Sequence, residues 1–215
     1  MRTLSESLFD QDIINKEVNF TLQSVKDLID KELEKYHLNE VDWEKVRKGY
    51  IPNDPYIIYN DCMGDNDGDF YNFEIFVPNG TIHKKTGKYD DVSIGISFCI
   101  AQYGGNINIE RMDIMWVDHE NDHAYAHSSV LWDLSGWKRH SKLKSNRFTE
   151  KNLKSLLDYI KKCIDTIFMM AKRDQQEICD IYMKEDSAAS KGDPLMYGRK
   201  DRYWYIEKMR KELEK

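Results

Sequence analysis

The chain has 215 residues, of which 40% are hydrophobic and 12% aromatic, enough for one domain with a full apolar core. Charged residues make up 33% against about a quarter in an ordinary globular protein, and the net charge is −6. The surface is therefore densely charged, and its average field repels nucleic acid and anionic membranes. The first ten residues lack the apolar core of a signal peptide, and no run approaches the length of a membrane span, so no export and no membrane partner are expected.

In chain order, Thr21 stands where an N-cap belongs, ahead of Leu22, Val25, Leu28, Ile29, Leu33 and Tyr36, whose spacing of three and four predicts an amphipathic helix. Asp42 then caps a short helical turn holding Trp43 and Val46 and closed at Gly49. The run Ile51-Pro52-Asn53-Asp54-Pro55 forces extended chain. From Tyr56 the period changes to two. Residues 56–60 and 70–77 read as a hairpin around an Asp/Gly-rich turn. In the next strand Val92, Ile94, Ile96, Phe98 and Ile100 form a branched face, while Ser93, Gly95, Ser97, Cys99 and Ala101 form a face of small side chains that would let a helix come close. Gly104-Gly105-Asn106 marks a turn, 107–117 is the fourth strand and 123–132 the fifth.

Thr149 opens a helix with Leu153, Leu156, Leu157, Ile160, Ile164, Ile167, Phe168 and Ala171 on one side. Unbroken to residue 185 it would be about 54 Å long, whereas a compact chain of this size is about 44 Å across, so its end must bend or project. Residues 186–194 read as a flexible linker and 202–214 as a terminal helix. The expected fold is α+β: an antiparallel meander of about five strands packed against an N-terminal helix and a long C-terminal helix, with a terminal helical arm. The organisation is a leader over 1–18, a core domain over 19–172, and a helical extension over 173–215 with its linker around 186–198.

Four cysteines, Cys62, Cys99, Cys163 and Cys179, lie far apart with no Cys-x-x-Cys pair, which fits reduced thiols and a cytoplasmic setting. The segment His119-Glu120-Asn121-Asp122-His123 matches His-Glu-x-x-His, with His127 four residues on. On a helix, residues i and i+4 lie within about 6 Å and share one zinc ion; on a strand they lie about 13 Å apart. Residues 112–117 alternate as a strand, so the segment reads as a turn. No metal, cofactor or catalytic residue is assigned, and zinc-dependent hydrolysis through His119, Glu120 and His123 is the enzyme alternative.

The loop from Met63 to Glu74 places Asp65, Asp67, Gly68 and Glu74 at calcium-loop positions, but Met63 stands where the first oxygen ligand belongs, so an acidic turn is expected. Between Trp137 and Phe148 a basic run carries Lys138, Arg139, Lys142, Lys144 and Arg147. Such a run can hold phosphates while Trp137 stacks on a base, yet in an acidic chain a solvated charge run is the expectation. Ile178, Ile181 and Tyr182 continue the apolar stripe past the part of the long helix that one domain readily covers, and Tyr203 and Trp204 repeat the pattern. With Leu8 and Phe9 they are the expected partner-binding residues, although folding back onto the body is an equally physical outcome.

Residues 3–13, Thr-Leu-Ser-Glu-Ser-Leu-Phe-Asp-Gln-Asp-Ile, resemble an N-terminal segment shared by many otherwise unrelated proteins of Bacteroidales phages, crAss-like phages included, and mobile elements. The resemblance covers no fold and carries no catalytic residue. It implies a phage or mobile-element protein. With the excess helical length, the expectation is a non-enzymatic virion or head–tail assembly subunit in a homo-oligomer, found in the host cytoplasm or in virions. An inhibitor or binder of a host factor is the third class.

Overall fold

The computed structural model describes residues 21–42, 44–45, 52–59, 69–80, 84–85, 92–103, 106–118, 129–132, 148–189 and 199–215. Helix α1 (Leu22–Leu33) starts where the sequence places it, on a reciprocal capping box. The Ser24 N–H donates to Thr21 Oγ1 at 3.2 Å, and the Thr21 N–H donates to Ser24 Oγ at 3.0 Å. Leu22, Val25, Ile29 and Leu33 are buried, as their spacing requires. The helix tightens into a 3₁₀ turn (Glu34–Tyr36) and stops at His37, whose φ of 50° is left-handed. Asp42 accepts the Glu44 N–H at 2.8 Å, so its capping role is realised.

Among the described residues the sheet has six strands in sequential order: β1 (Asn39–Glu40), β2 (Tyr56–Tyr59), β3 (Asp69–Pro78), β4 (Val92–Tyr103), β5 (Asn106–Asp118) and β6 (Ser129–Trp132). Strands β2 to β6 form the antiparallel meander that the alternation predicts, and β1 adds two residues in parallel to β2 at one edge. Of the expected last strand, 129–132 is β6, and 123–128 lie outside the described residues. A register shift between Cys99 and Ile100 lets Cys99 face Arg111 while Ile100 faces Ile109.

The branched face of β4 carries the main core, together with Tyr71, Phe73 and Ile75 of β3 and Met112, Ile114 and Trp116 of β5. The helices pack here, so the small face is not their approach surface. Its glycine serves a different contact. Phe76, the cross-strand partner of Gly95, lays its ring into the space that a side chain would take, and a Cβ at Gly95 would stand 2.5 Å from both the Ile75 carbonyl oxygen and Phe76 Cδ1. Because one of the two atoms is backbone, Gly95→Ala is expected to cost about 2–3 kcal/mol, read as a lowered urea midpoint with unchanged slope.

Polar ties hold α1 down. Asp30 Oδ1 accepts from the Tyr71 hydroxyl at 2.6 Å and from the Tyr59 hydroxyl at 3.2 Å. Lys26 Nζ lies 3.1 Å from Asp30 Oδ2 and 4.4 and 4.6 Å from the centroids of the Tyr71 and Tyr59 rings. The Tyr36 hydroxyl donates to Asp165 at 2.5 Å, joining the 3₁₀ turn to helix α2 (Glu150–Arg173).

The long helical pattern divides at Asp174, between α2 and α3 (Gln175–Ala189). The bend expected from length alone therefore exists, and it needs neither proline nor glycine. The Asp174 N–H still donates to Met170 O at 2.8 Å, and helical bonding resumes with the Ile178 N–H to Asp174 O at 2.9 Å. Residues 186–189, read as linker, belong to α3. Helix α4 (Arg199–Glu214) starts earlier than predicted. The helices beyond residue 172 do not stand off as an extension: Ile178, Ile181 and Tyr182 of α3 and Tyr205, Ile206, Met209 and Leu213 of α4 belong to the same core cluster as the sheet and α2. No helix among the described residues is long and apolar enough to cross a membrane.

Candidate functional site

The apolar stripe expected to face a partner is covered from within. Ile178, Ile181 and Tyr182 are only 0%, 7% and 2% exposed, sharing a core with the inner face of α4. This corrects their reading as open partner surface: the terminal helix supplies the cover that the sequence left unassigned. Trp204 is different. It is 59% exposed, while its neighbour Tyr205 is fully buried. Leu8, Phe9, the segment His119, Glu120 and His123, and the basic run Trp137, Lys138, Arg139, Lys142, Lys144 and Arg147 lie outside the described residues, as does the Tyr203 side chain. Strand β5 runs to Asp118, so the chain enters the histidine segment from extended backbone. Residues Asp69–Glu74 of the suspected calcium loop are part of β3, which confirms the strand expected on that flank.

Trp204 stands at the rim of a groove of about 550 Å³ whose other lining residues, Glu177, Asp180, Ile181 and Lys184, come from α3. Ion pairs brace the two walls. Asp174, 8% exposed, accepts from Arg173 Nε at 2.8 Å and Nη2 at 2.9 Å, and from the Tyr205 hydroxyl at 3.3 Å. Lys208 Nζ lies 3.1 Å from Asp174 Oδ2 and 2.5 Å from Glu177 Oε2. The hydrogen bonds from Arg173, helped by Lys208, hold the Asp174 carboxyl below the usual aspartate range against the effect of burial. Burial lowers Lys208, but its contacts with Glu177 and Asp174 outweigh this and raise it. Burial, with the Asp174 charge beside it, keeps the Tyr205 phenol protonated. The result is a rigid shelf from which the indole of Trp204 projects. Lys208 Nζ lies 5.8 Å from that ring's centroid.

A second polar group occupies the sheet face away from the helices. Glu74, Ser97 and Asp113 form one cross-strand row, and Asn72, Cys99 and Arg111 the next. Arg111 Nε pairs with Asp113 Oδ2 at 2.9 Å, while Asp113 Oδ1 is buried with no hydrogen-bond partner among the described residues. Burial raises the pKa of both Glu74 and Asp113, and the Arg111 charge only partly offsets it. One guanidinium thus serves two carboxylates. Burial raises the Cys99 thiol and pushes Cys163 up to about 12, so neither supplies a thiolate nucleophile at neutral pH. Among the described residues no group of three His, Cys, Asp or Glu side chains converges on a metal position.

The sequence carried signals for both polar clusters. Asp174 falls on the apolar face of the helical pattern, three residues after Ala171 and four before Ile178, where an acid requires buried partners. Glu74 and Asp113 occupy alternate positions beside Phe76 and Met115, on the face shared with buried apolar residues. No family model matches the chain, and no curated protein or solved structure gives a match.

Proposed function

We propose that the protein works by protein–protein contact, as a phage or mobile-element factor carried in the host cytoplasm and built into the virion or its head–tail assembly, with the face around Trp204 as the contact surface. The observation that carries the reading is an exposed indole on a shelf whose supporting side chains are locked by ion pairs. Tryptophan is the residue type most enriched among side chains that dominate binding energy, and a rigid mount lowers the entropy lost on association. Among the described residues the other exposed large apolar side chains are Tyr103 and Met169, at 42% and 41%. The Tyr103 ring already meets the Phe70 ring edge-on at 5.8 Å, and Met169 sits among Asp158, Lys161, Lys162 and Asp165. The resemblance of residues 3–13 to a phage-associated segment supports the setting.

Quantitative mass spectrometry of gradient-purified particles tests this. Wild-type protein is expected in the particles, and Trp204→Ala is expected to weaken its retention about thirtyfold, the factor that goes with a contact worth about 2 kcal/mol, while the melting temperature stays unchanged. Absence of the wild-type chain from particles, or equal retention of the variant, would remove the reading.

A further inference from the structure

We infer that the sheet edge at β1 takes an extended segment of a partner protein as an added strand, with a lysine or arginine of that segment seated between Glu34 and Glu40. This is a second contact, and it does not depend on the face around Trp204. Three observations carry it.

The edge is open in the backbone. β1 is the outermost strand, and both of its residues are exposed. The Asn39 N–H donates to Pro55 O at 3.0 Å and the Val41 N–H to Ile57 O at 2.9 Å, so the N–H and C=O of Glu40, between them, point away from β2. Among the described residues β1 pairs with β2 alone. A backbone N–H and C=O turned outward at a sheet edge are the groups to which an added strand bonds.

The register aims the added side chain. Glu40 lies beside Ile57, which belongs to the core cluster shared by sheet and helices, so the Glu40 side chain is on the helix-bearing face. A residue paired opposite Glu40 puts its own side chain on that same face, about 5 Å from that of Glu40. There a pocket of about 460 Å³ opens between the sheet edge and the end of α1, and its lining includes Leu33, Glu34, His37, Glu40, Ile57 and Tyr59.

The charge selects the occupant. Lys26 and Asp30 also line the pocket, but they lie 3.1 Å apart and Asp30 accepts from Tyr59 and Tyr71, so these two charges offset each other within the fold. His37 counts as neutral. The charges left are Glu34 and Glu40, and neither carboxylate has an ion pair or hydrogen bond among the described residues. Leu33 and Ile57 below them are buried and packed into the core. An acidic rim above an apolar floor matches a side chain with a cationic head on a methylene stem, and the same carboxylates repel an acidic segment.

Amide NMR of the full chain, titrated with acetylated heptapeptides that alternate threonine and valine around a central guest residue, tests the inference. With arginine as guest, at up to about 5 mM, the amides from Leu33 to Glu40 and from Ile57 to Tyr59 should shift and saturate with a Kd of about 1 mM. Glutamate as guest should give no shifts. Glu34→Gln and Glu40→Gln should each weaken binding of the arginine peptide about fivefold, the upper end for an opposite-charge pair across strands, with unchanged melting temperatures. Glu40→Lys should transfer the preference to the glutamate peptide. An arginine peptide N-methylated at its guest residue should not bind, because it cannot bond to the edge. Trp204→Ala should leave all of this unchanged, which separates the two contacts. No saturable shifts with the arginine peptide, or equal binding of the glutamate or N-methylated peptide, would overturn the inference. Shifts at Glu40 on concentrating the chain alone would assign the edge to a second copy and overturn it as well.

Discussion

Replacing Trp116 by alanine is expected to destabilise the protein by about 3–5 kcal/mol, the range for removing a large aromatic side chain from a close-packed interior. Trp116 is fully buried on β5 and meets the ring of Tyr205 on α4 at 5.8 Å with the planes 70° apart. It therefore joins the sheet to the terminal helix, and its loss leaves a cavity at the seam between them. Its Nε1 is buried with no hydrogen-bond partner among the described residues. Trp116→Phe, which keeps an aromatic ring but removes the unsatisfied donor, should accordingly cost clearly less than Trp116→Ala. Urea unfolding followed by near-ultraviolet circular dichroism gives both values. For a chain of this length each kcal/mol lowers the melting temperature by about 2–4 °C, so the alanine variant should melt about 10 °C lower. Equal costs for phenylalanine and alanine would mean that ring packing against Tyr205 is not what the site contributes.

Asp174→Ala is expected to cost about 2–3 kcal/mol, less than the 3–5 typical of a fully enclosed pair, because Arg173 and Lys208 keep access to water and are screened. The variant removes the acceptor shared by Arg173, Lys208 and Tyr205 at the point where α2 gives way to α3. Its pH signature separates this from a general packing defect. The Asp174 carboxyl is held below its ordinary value, so its contribution is complete above the unfolded aspartate pKa, near 4, and is lost as pH falls through the lower folded value. Asp165 acts in the same direction: burial opposes, but Lys161 and Tyr36 outweigh it and depress the carboxyl. Glu74 and Asp113 have the opposite sign. Burial raises both, so the folded state takes up protons more readily than the unfolded chain, and their cost to stability declines as pH falls from neutrality. Wild-type stability should rise on mild acidification and then fall steeply below about pH 4. In Asp174→Ala the steep acid limb should be shallower while the gain on mild acidification remains.

Periodicity specified most of this architecture because each element has one face in the core. The capping box at Thr21, the alternation along β4 and the stripe from Leu153 to Ala171 each state a period and a boundary in local residues. Length arithmetic, rather than any motif, located the need for a bend, and the bend falls at an aspartate whose partners lie one and more than thirty residues away. That second distance explains why the site was harder to read. Whether Ile178, Ile181 and Tyr182 form a surface or an interior depends on where α4 packs, and no local pattern encodes the docking of one helix on another. Trp204 and Tyr205 are adjacent in sequence, yet one is exposed and the other enclosed. The choice of face on α4 separates them, and its weak amphipathic pattern leaves that choice to tertiary contact. The small face of β4 suggests room for a helix, because small side chains permit close approach. Here the approaching group is Phe76 from the neighbouring strand.

The proposed contact surface depends on α3 and α4 being part of one cooperative body with the sheet, and amide hydrogen exchange measures this directly. Buried amides of α4, from Tyr205 to Leu213, should open with the same free energy and the same denaturant dependence as those of β4 from Ile94 to Ile100, close to the global unfolding value. Rapid exchange across α4 while β4 stays protected would contradict it, since a helix that detaches on its own cannot hold Trp204 on a fixed shelf.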